Sequence, residues 1–166
     1  MASRKRMSLV LDVVTCCVLV IGFISRAAAT HIEGEYLERH NEARSRVGIS
    51  DLEWSNSLES YATDYAERQA SYGCSMVHSN GPYGENLYWS SGYSSPSDAV
   101  DSWLEEGRDY NSNFNSCSFG RVCGHYTQII WRNTRYMGCG SATCPTGGKF
   151  VVCSYYPPGN YYGENP

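Results

Sequence analysis

Apolar side chains recur with helical spacing in the first half of the chain. A first helix is predicted from Ile32 to Val47 and is closed by Gly48 as a C-terminal cap. A second, stronger stripe repeats at i, i+3, i+4, i+7 and i+8; it comprises Leu58, Tyr61, Ala62, Tyr65 and Ala66. Ser95-Pro96 is typical of an N-cap followed by a first helical residue, and the helix that it begins should end near Gly107.

The last third of the chain has the pattern of β structure. We predict strands at Tyr136–Ala142 and Phe150–Tyr155, joined by a turn at Gly147-Gly148, and a short strand at Leu87–Trp89. Periodicity does not decide the type of the buried run Ile129–Trp131. Helices early and strands late predict an α+β domain with helices packed on a sheet.

The N-terminal segment has the three parts of a secretory signal peptide. Arg4-Lys5-Arg6 precedes an apolar run from Val13 to Ile24, and small residues at Ala27–Ala29 follow. We therefore predict that residues 1–29 are removed by cleavage after Ala29. A membrane anchor is the alternative, but Asp12 interrupts the run too early for a span of about 20 apolar residues. The mature chain should lie outside the cytosol and carry no transmembrane segment.

Removal of this leader changes both the charge and the cysteine count. It takes away four of the 13 basic and one of the 17 acidic side chains, which leaves a formal charge of −7. Such an acidic chain is not expected to bind nucleic acid. Six of the eight cysteines remain, and an even number in an exported chain predicts three disulfides. Six cysteines allow 15 pairings, and the residues alone do not choose among them.

Histidines are the side chains best suited to chemistry. His40 lies in the first predicted helix, His78 opens the segment His78–Asn86, and His125 lies in Gly124–Gln128. Two imidazoles with nearby acids suit zinc or general acid–base catalysis, whereas for each histidine taken singly a hydrogen-bonded structural role is favoured. No G-x-S-x-G, H-E-x-x-H or phosphate-binding glycine motif occurs, and no nucleophile is marked, so we do not expect an enzyme.

Four ordered motifs carry a resemblance to a known family. They are Gly124–Trp131 (GHYTQIIW), His40–Arg44 (HNEAR), Gly81–Leu87 (GPYGENL) and Cys153–Asn160 (CSYYPPGN). Together they resemble the CAP superfamily, named for cysteine-rich secretory proteins, antigen 5 and pathogenesis-related proteins, and in particular its plant pathogenesis-related branch. The resemblance extends from about Tyr36 to Asn160.

The resemblance implies an α-β-α sandwich, with a small antiparallel sheet between helices, over residues 30–156. It leaves residues 157–166 as a C-terminal tail. It also implies three disulfide pairs: Cys74–Cys144, Cys117–Cys123 and Cys139–Cys153.

The resemblance further implies a cleft lined by His78, Glu85, His125 and one acid of the Trp103–Glu106 segment. Counting from the tryptophan gives Glu106, with Glu105 as the neighbouring alternative. No cofactor is required; zinc is the possible metal. The same four side chains are also compatible with a hydrogen-bonded structural tetrad that has no turnover.

The implied function is that of a monomeric defence protein secreted into the apoplast. It would act against fungi and oomycetes by binding sterols or other apolar lipids of their membranes through the loop that carries Tyr110, Phe114 and Phe119. Those rings could instead pack the loop onto the sheet. Two further alternatives are a metal-assisted hydrolase and a precursor that releases a signalling peptide from Pro157. For the second of these, Ser154 replaces the usual Asn and the customary terminal Tyr is missing.

Overall fold

The computed structural model describes residues 31–166. Its helices and strands are arranged in three layers. The predicted signal peptide lies outside the described residues. Residues 35–166 form one compact unit. The first helix, α1, occupies residues 31–46, and Gly48 follows with φ of 69° in the left-handed region, as expected of a helix C-terminus.

The remaining elements follow the predicted order, with additions. The helices are α2 (Asn56–Ser71), α3 (Pro96–Glu105) and α4 (Gly124–Ile129), and a 3₁₀ turn at Glu106–Asp109 follows α3. The strands are β1 (Glu53–Trp54), β2 (Gly84–Ser90), β3 (Tyr110–Asn111), β4 (Ser116–Cys117), β5 (Tyr136–Thr143) and β6 (Lys149–Tyr156). No helix within residues 31–166 is long and apolar enough to span a bilayer.

Local sequence explains where the helices begin. The Ser55 side chain accepts a hydrogen bond from the backbone N–H of Leu58 at the start of α2. At α3, Ser95 and Asp98 form a reciprocal capping box around Pro96. Both serines satisfy backbone N–H groups that a helix leaves unpaired in its first turn.

The central sheet has the strand order β1-β5-β6-β2. β2 and β5 both pair antiparallel to β6, whereas the two-residue β1 pairs parallel to β5. β2, predicted as a three-residue strand, is seven residues long and includes Glu85 and Asn86. A separate two-stranded sheet, β3–β4, lies within the segment expected to be the loop that carries Tyr110, Phe114 and Phe119.

Helix α2 packs directly on the backbone of β5. A Cβ atom at Gly138 or Gly140 would collide with the backbone of Glu59 or Thr63, so only glycine permits this contact. The core on this face contains Ala62, Tyr65, Ala66, Leu87, Phe150 and Val152. On the opposite face, α1, α3 and α4 pack over a second core that includes Tyr36, Val100, Trp103, Ile129, Val151 and Tyr155. The α-β-α sandwich predicted from the resemblance is confirmed.

The six cysteines form the three pairs that the resemblance implies. Cys139–Cys153 joins directly opposed residues of β5 and β6, and Cys74–Cys144 ties the end of α2 to the end of β5. Cys117–Cys123 closes the short segment between β4 and α4. Each cross-link limits the unfolded ensemble, and the 70-residue separation of Cys74 and Cys144 limits it most.

Arg44, a buried residue of α1, connects this helix to the chain between α4 and β5. Arg44 is fully buried, and its guanidinium donates to the backbone carbonyls of Ser50, Ile129, Trp131 and Thr134 at 2.7–3.1 Å. Burial lowers the pKa of Arg44 to about 10. Three of these carbonyls belong to the end of α4 and to the chain before β5, and that of Ser50 lies between α1 and β1. One side chain therefore satisfies the backbone where regular structure stops.

We predict that Arg44→Met lowers the free energy of unfolding by about 3–5 kcal/mol, because four buried carbonyls lose their donor. Arg46→Met is the matched control on the same helix, since the Arg46 side chain is 68% exposed; its effect should stay within about 0.5 kcal/mol. Urea unfolding of both variants measures the difference. Equal effects would contradict this role for Arg44.

Candidate functional site: two histidine–glutamate pairs

The first pair joins His78, in the chain after α2, to Glu85 on the edge strand β2. His78 Nδ1 donates to Glu85 Oε1 at 2.8 Å, and the same oxygen accepts the backbone N–H of Ser79 at 2.9 Å. The Glu85 side chain is 6% exposed, whereas that of His78 is 57% exposed. The buried Glu85 carboxylate is therefore held in place by these two hydrogen bonds. Because it binds Nδ1 of His78, Nε2 of this exposed ring remains available to a ligand.

The second pair lies at the start of α4. His125 Nδ1 donates to Glu106 Oε1 at 2.7 Å, and Glu106 Oε2 accepts the backbone N–H groups of His125 at 2.9 Å and Tyr126 at 3.3 Å. Glu106 thus supplies the negative charge that the N-terminal N–H groups of a helix favour. Glu106, and not Glu105, contacts His125; the exposed Glu105 lies 3.6 Å from Arg108.

Trp103 and Asn86 hold the second pair against β2. The His125 ring stacks on Trp103 with 6.0 Å between ring centroids, and Trp103 Nε1 donates to the carbonyl of Leu87 at 2.9 Å. Asn86 Nδ2 donates to the carbonyl of His125 at 3.1 Å. Since Glu85 and Asn86 are consecutive on β2, the same strand carries one member of the first pair and a support of the second.

The four predicted residues therefore meet as two pairs. No hydrogen bond joins one pair to the other in the described part of the chain. Within residues 31–166 no group of three or more His, Cys, Asp or Glu side chains is arranged to hold a metal ion. A cavity of about 650 Å³ lies elsewhere, between the ends of α1, α4 and the C-terminus, and none of the four residues lines it.

A buried hydrogen-bond chain that we did not predict links the second pair to α1. His40 Nδ1 donates to the carbonyl of Tyr36 at 2.7 Å, and His40 Nε2 accepts from the Tyr155 hydroxyl at 2.8 Å. The Tyr155 hydroxyl in turn accepts from Asn86 Nδ2 at 3.2 Å. His40, Tyr155 and Asn86 belong to three of the motifs quoted above, but spacing in the sequence gives no sign that they touch.

Two polar atoms next to the first pair have no protein partner. Glu85 Oε2 and Ser154 Oγ are both buried without a hydrogen bond. Glu85 and Ser154 are directly opposed on β2 and β6, so their side chains point to the same face of the sheet. The position where Ser154 departs from the family motif is thus the position facing the Glu85 carboxylate.

The three aromatic residues of the predicted lipid-binding loop do not form one surface. Tyr110 is partly buried, packs against Tyr126 at 5.8 Å between ring centroids, and donates to Asn115. Phe114 and Phe119 are 78% and 106% exposed. Only Tyr110 packs the segment onto the domain, and the two phenylalanines project into solvent instead of lining a concave pocket.

The C-terminal tail is docked on α4. Gly159 N–H donates to Gln128 Oε1 at 2.9 Å, and the Asn160 side chain bonds Thr127 Oγ1 and the carbonyl of Gly124 at 2.7 and 2.8 Å. A side chain at Gly159 would collide with Trp131 and Gln128. The tail therefore follows β6 as an ordered part of the domain, although it contains no helix or strand.

The comparison with protein families agrees with the motifs. A model described as the cysteine-rich secretory protein family matches residues 37–155. The chain belongs to the cysteine-rich secretory protein family. Its relatives include pathogenesis-related protein 1A of Nicotiana tabacum, 44% identical over 89% of this chain and 87% of that protein. Pathogenesis-related protein PR-1 type of Sambucus nigra is 41% identical over 93% of each.

Solved structures share this fold. The crystal structure of NaASP2 with Zn²⁺ superposes with a TM-score of 0.68 at 25% identity, over 81% of this chain and 83% of that one. Venom allergen-like protein 4 of Schistosoma mansoni gives 0.62 at 26% identity, over 81% and 95%. The plant relatives are named as pathogenesis-related proteins, and the Schistosoma structure as a venom allergen-like protein.

Burial of His40 makes the stability of this family member depend on pH. Burial lowers the pKa of His40 to about 4, whereas an unfolded histidine has a pKa of about 6.5. Between these values the unfolded chain binds a proton that the folded chain excludes, so stability falls as pH decreases from 6.5 to 4. We expect a loss of about 3 kcal/mol from this residue. The loss should be absent in His40→Gln when unfolding by urea is followed across this range.

NMR provides a second measurement for the case in which His40→Gln does not fold. The His40 ring resonances of the intact protein should show the neutral form, protonated at Nδ1, down to about pH 5. Titration of His40 near pH 6.5 would contradict the assignment.

Proposed function

We propose that this protein is a secreted plant defence protein that binds sterols or related apolar lipids of fungal and oomycete membranes. Its relatives are named pathogenesis-related protein 1, and the motif-rich domain covers most of the chain. The N-terminal signal-like segment supports export to the apoplast. The proposed defence mechanism is lipid binding without catalytic turnover of the lipid.

The observation that supports lipid binding is the exposure of large apolar side chains in one cross-linked segment. Phe114, Phe119 and Val122 are all largely solvent-exposed, and the Cys117–Cys123 disulfide restrains the chain that carries two of them. Exposing such side chains to water is unfavourable, and a short segment that exposes several of them is a candidate for contact with an apolar partner. A lipid that covers both rings would remove this cost.

A labelled-sterol titration of the secreted, disulfide-bonded protein tests the proposal. We expect saturable binding that weakens about tenfold in the Phe114→Ser/Phe119→Ser double variant, because both apolar contacts are lost. Tyr93→Ser is the control, since Tyr93 is also highly exposed but lies outside this segment. Binding that is absent, or that the double variant retains in full, would contradict the mechanism.

Zinc binding at the two histidine–glutamate pairs is a second candidate function. Each Nδ1 is engaged by a carboxylate, the arrangement that orients an imidazole to offer Nε2 to a metal. The structural relative NaASP2 has a crystal structure with Zn²⁺. The donor chemistry therefore fits zinc, with two imidazoles supplied by the chain, although the described residues provide no third ligand in place. Zinc bound there would supply a Lewis acid for a hydrolytic reaction.

Equilibrium dialysis against zinc tests this candidate. His78→Ala and His125→Ala should each reduce zinc binding by about tenfold or more, because each removes one of two imidazoles. His31→Ala is the control for a histidine outside both pairs. Equal zinc content in all four proteins would exclude the site. If zinc binds, activity against peptide and ester panels then distinguishes a hydrolase from a structural metal site.

Release of a signalling peptide from Pro157 also remains a proposal. The contacts of Gly159 and Asn160 with α4 would have to break for the peptide to leave.

A further inference from the structure

The residues that line a cleft rich in tyrosines include none of Tyr110, Phe114 and Phe119 and no member of either histidine–glutamate pair. This cleft encloses about 450 Å³, within the usual size range of ligand sites. We call it the tyrosine cleft. It is formed where the central sheet meets the start of α2, and its lining residues are Ser55, Ser57, Leu58, Tyr83, Tyr136 and Tyr156.

Strand register places the three rings of the tyrosine cleft in a row. Tyr136 and Tyr156 are directly opposed on β5 and β6. Gly84 pairs with Tyr155, so Tyr83, one residue before β2, lies on the other side of Tyr156. The Tyr83 and Tyr156 rings are 6.3 Å apart and nearly perpendicular, at 87°. The row therefore crosses three adjacent chain segments, with its outer members two strand spacings apart, about 9.5 Å.

The hydroxyl groups along this row are available to a ligand. Tyr83, Tyr136 and Tyr156 make no side-chain hydrogen bond within residues 31–166, and Tyr136 and Tyr156 are exposed. The neighbouring Tyr61, whose ring lies 4.9 Å from that of Tyr83, does use its hydroxyl, which donates to Ser79 Oγ. The row thus combines apolar ring faces with unused hydrogen-bond donors, and no charged side chain lines the cleft.

We propose that the tyrosine cleft binds a proline-rich peptide segment in the polyproline II conformation. One turn of that helix is three residues, about 9.3 Å long, which matches the spacing between the outer rings of the row. A polyproline II backbone has no internal hydrogen bonds, so its carbonyls accept from donors such as phenol hydroxyls. Uncharged grooves lined by aromatic side chains are the usual receptors for such segments.

An oligosaccharide is the rival ligand, since sugar rings also stack on aromatic side chains. A sugar presents many hydroxyls that both donate and accept. The residues that line the cleft include no carboxylate or amide side chain to engage them in pairs. The donors present match a row of peptide carbonyls better, which is why the proposal names a peptide.

NMR titration of the secreted, disulfide-bonded protein with a blocked decaproline peptide tests the proposal. We expect saturable shifts of the Tyr83, Tyr136 and Tyr156 ring resonances. Affinity should fall about tenfold in Tyr136→Ser, which removes an outer ring, and about threefold in Tyr156→Phe, which removes only the central hydroxyl. Tyr93→Ser is the matched control, and circular dichroism of each variant establishes that it is folded.

Three results would overturn the proposal. They are no saturable shift with decaproline, equal binding of a Gly-Ser decapeptide, and full affinity in a folded Tyr136→Ser variant. A cello-oligosaccharide that shifts the three tyrosines while decaproline does not would assign the cleft to carbohydrate instead. Failure here leaves the lipid proposal unaffected, because that proposal rests on Phe114 and Phe119 and is tested with different variants.

Discussion

The position of the second histidine–glutamate pair depends on one buried chain of hydrogen bonds. It runs from the Tyr36 carbonyl through His40, Tyr155 and Asn86 to the backbone carbonyl of His125. Each buried member would be costly to leave unpaired in this low-dielectric interior, so the geometry that satisfies one constrains the next. Because α1, β6, β2 and α4 each contribute a member, the core determines where His125 lies.

Several motif residues of this family member therefore serve mainly to hydrogen-bond backbone groups. In α1, Asn41 exchanges two hydrogen bonds with Leu52, and Arg44 satisfies the carbonyl of Ser50 and three carbonyls between the end of α4 and β5. Glu106 likewise binds the first N–H groups of α4 as well as the His125 ring. Such residues determine the positions of the site's side chains, and this role is independent of the ligand. Lipid, metal and peptide binding then depend on side chains that project outward from this frame.

Local patterns predicted the elements well, because helix periodicity, the Ser95-Pro96 cap and the alternating strands act within a few residues. β1 and β3–β4 were missed, since two-residue strands have no period of their own. The family resemblance supplied the three disulfides and the residues of both histidine–glutamate pairs. It did not supply their arrangement as separate pairs, the exposure of Phe114 and Phe119, or the tyrosine row. Those depend on strand register and long-range packing, which a single sequence does not encode in any local spacing.

Amide hydrogen exchange in Tyr155→Phe tests most directly whether the buried chain of hydrogen bonds positions the site. Removing this hydroxyl deprives His40 of its donor and Asn86 of an acceptor. We predict that exchange at the His125 and Tyr126 amides rises about tenfold or more relative to the Val152 amide in the sheet. Tyr110→Phe, which removes a hydroxyl that donates to the exposed Asn115, should leave that ratio unchanged. An unchanged ratio in a folded Tyr155→Phe protein would contradict the positioning role of the buried chain.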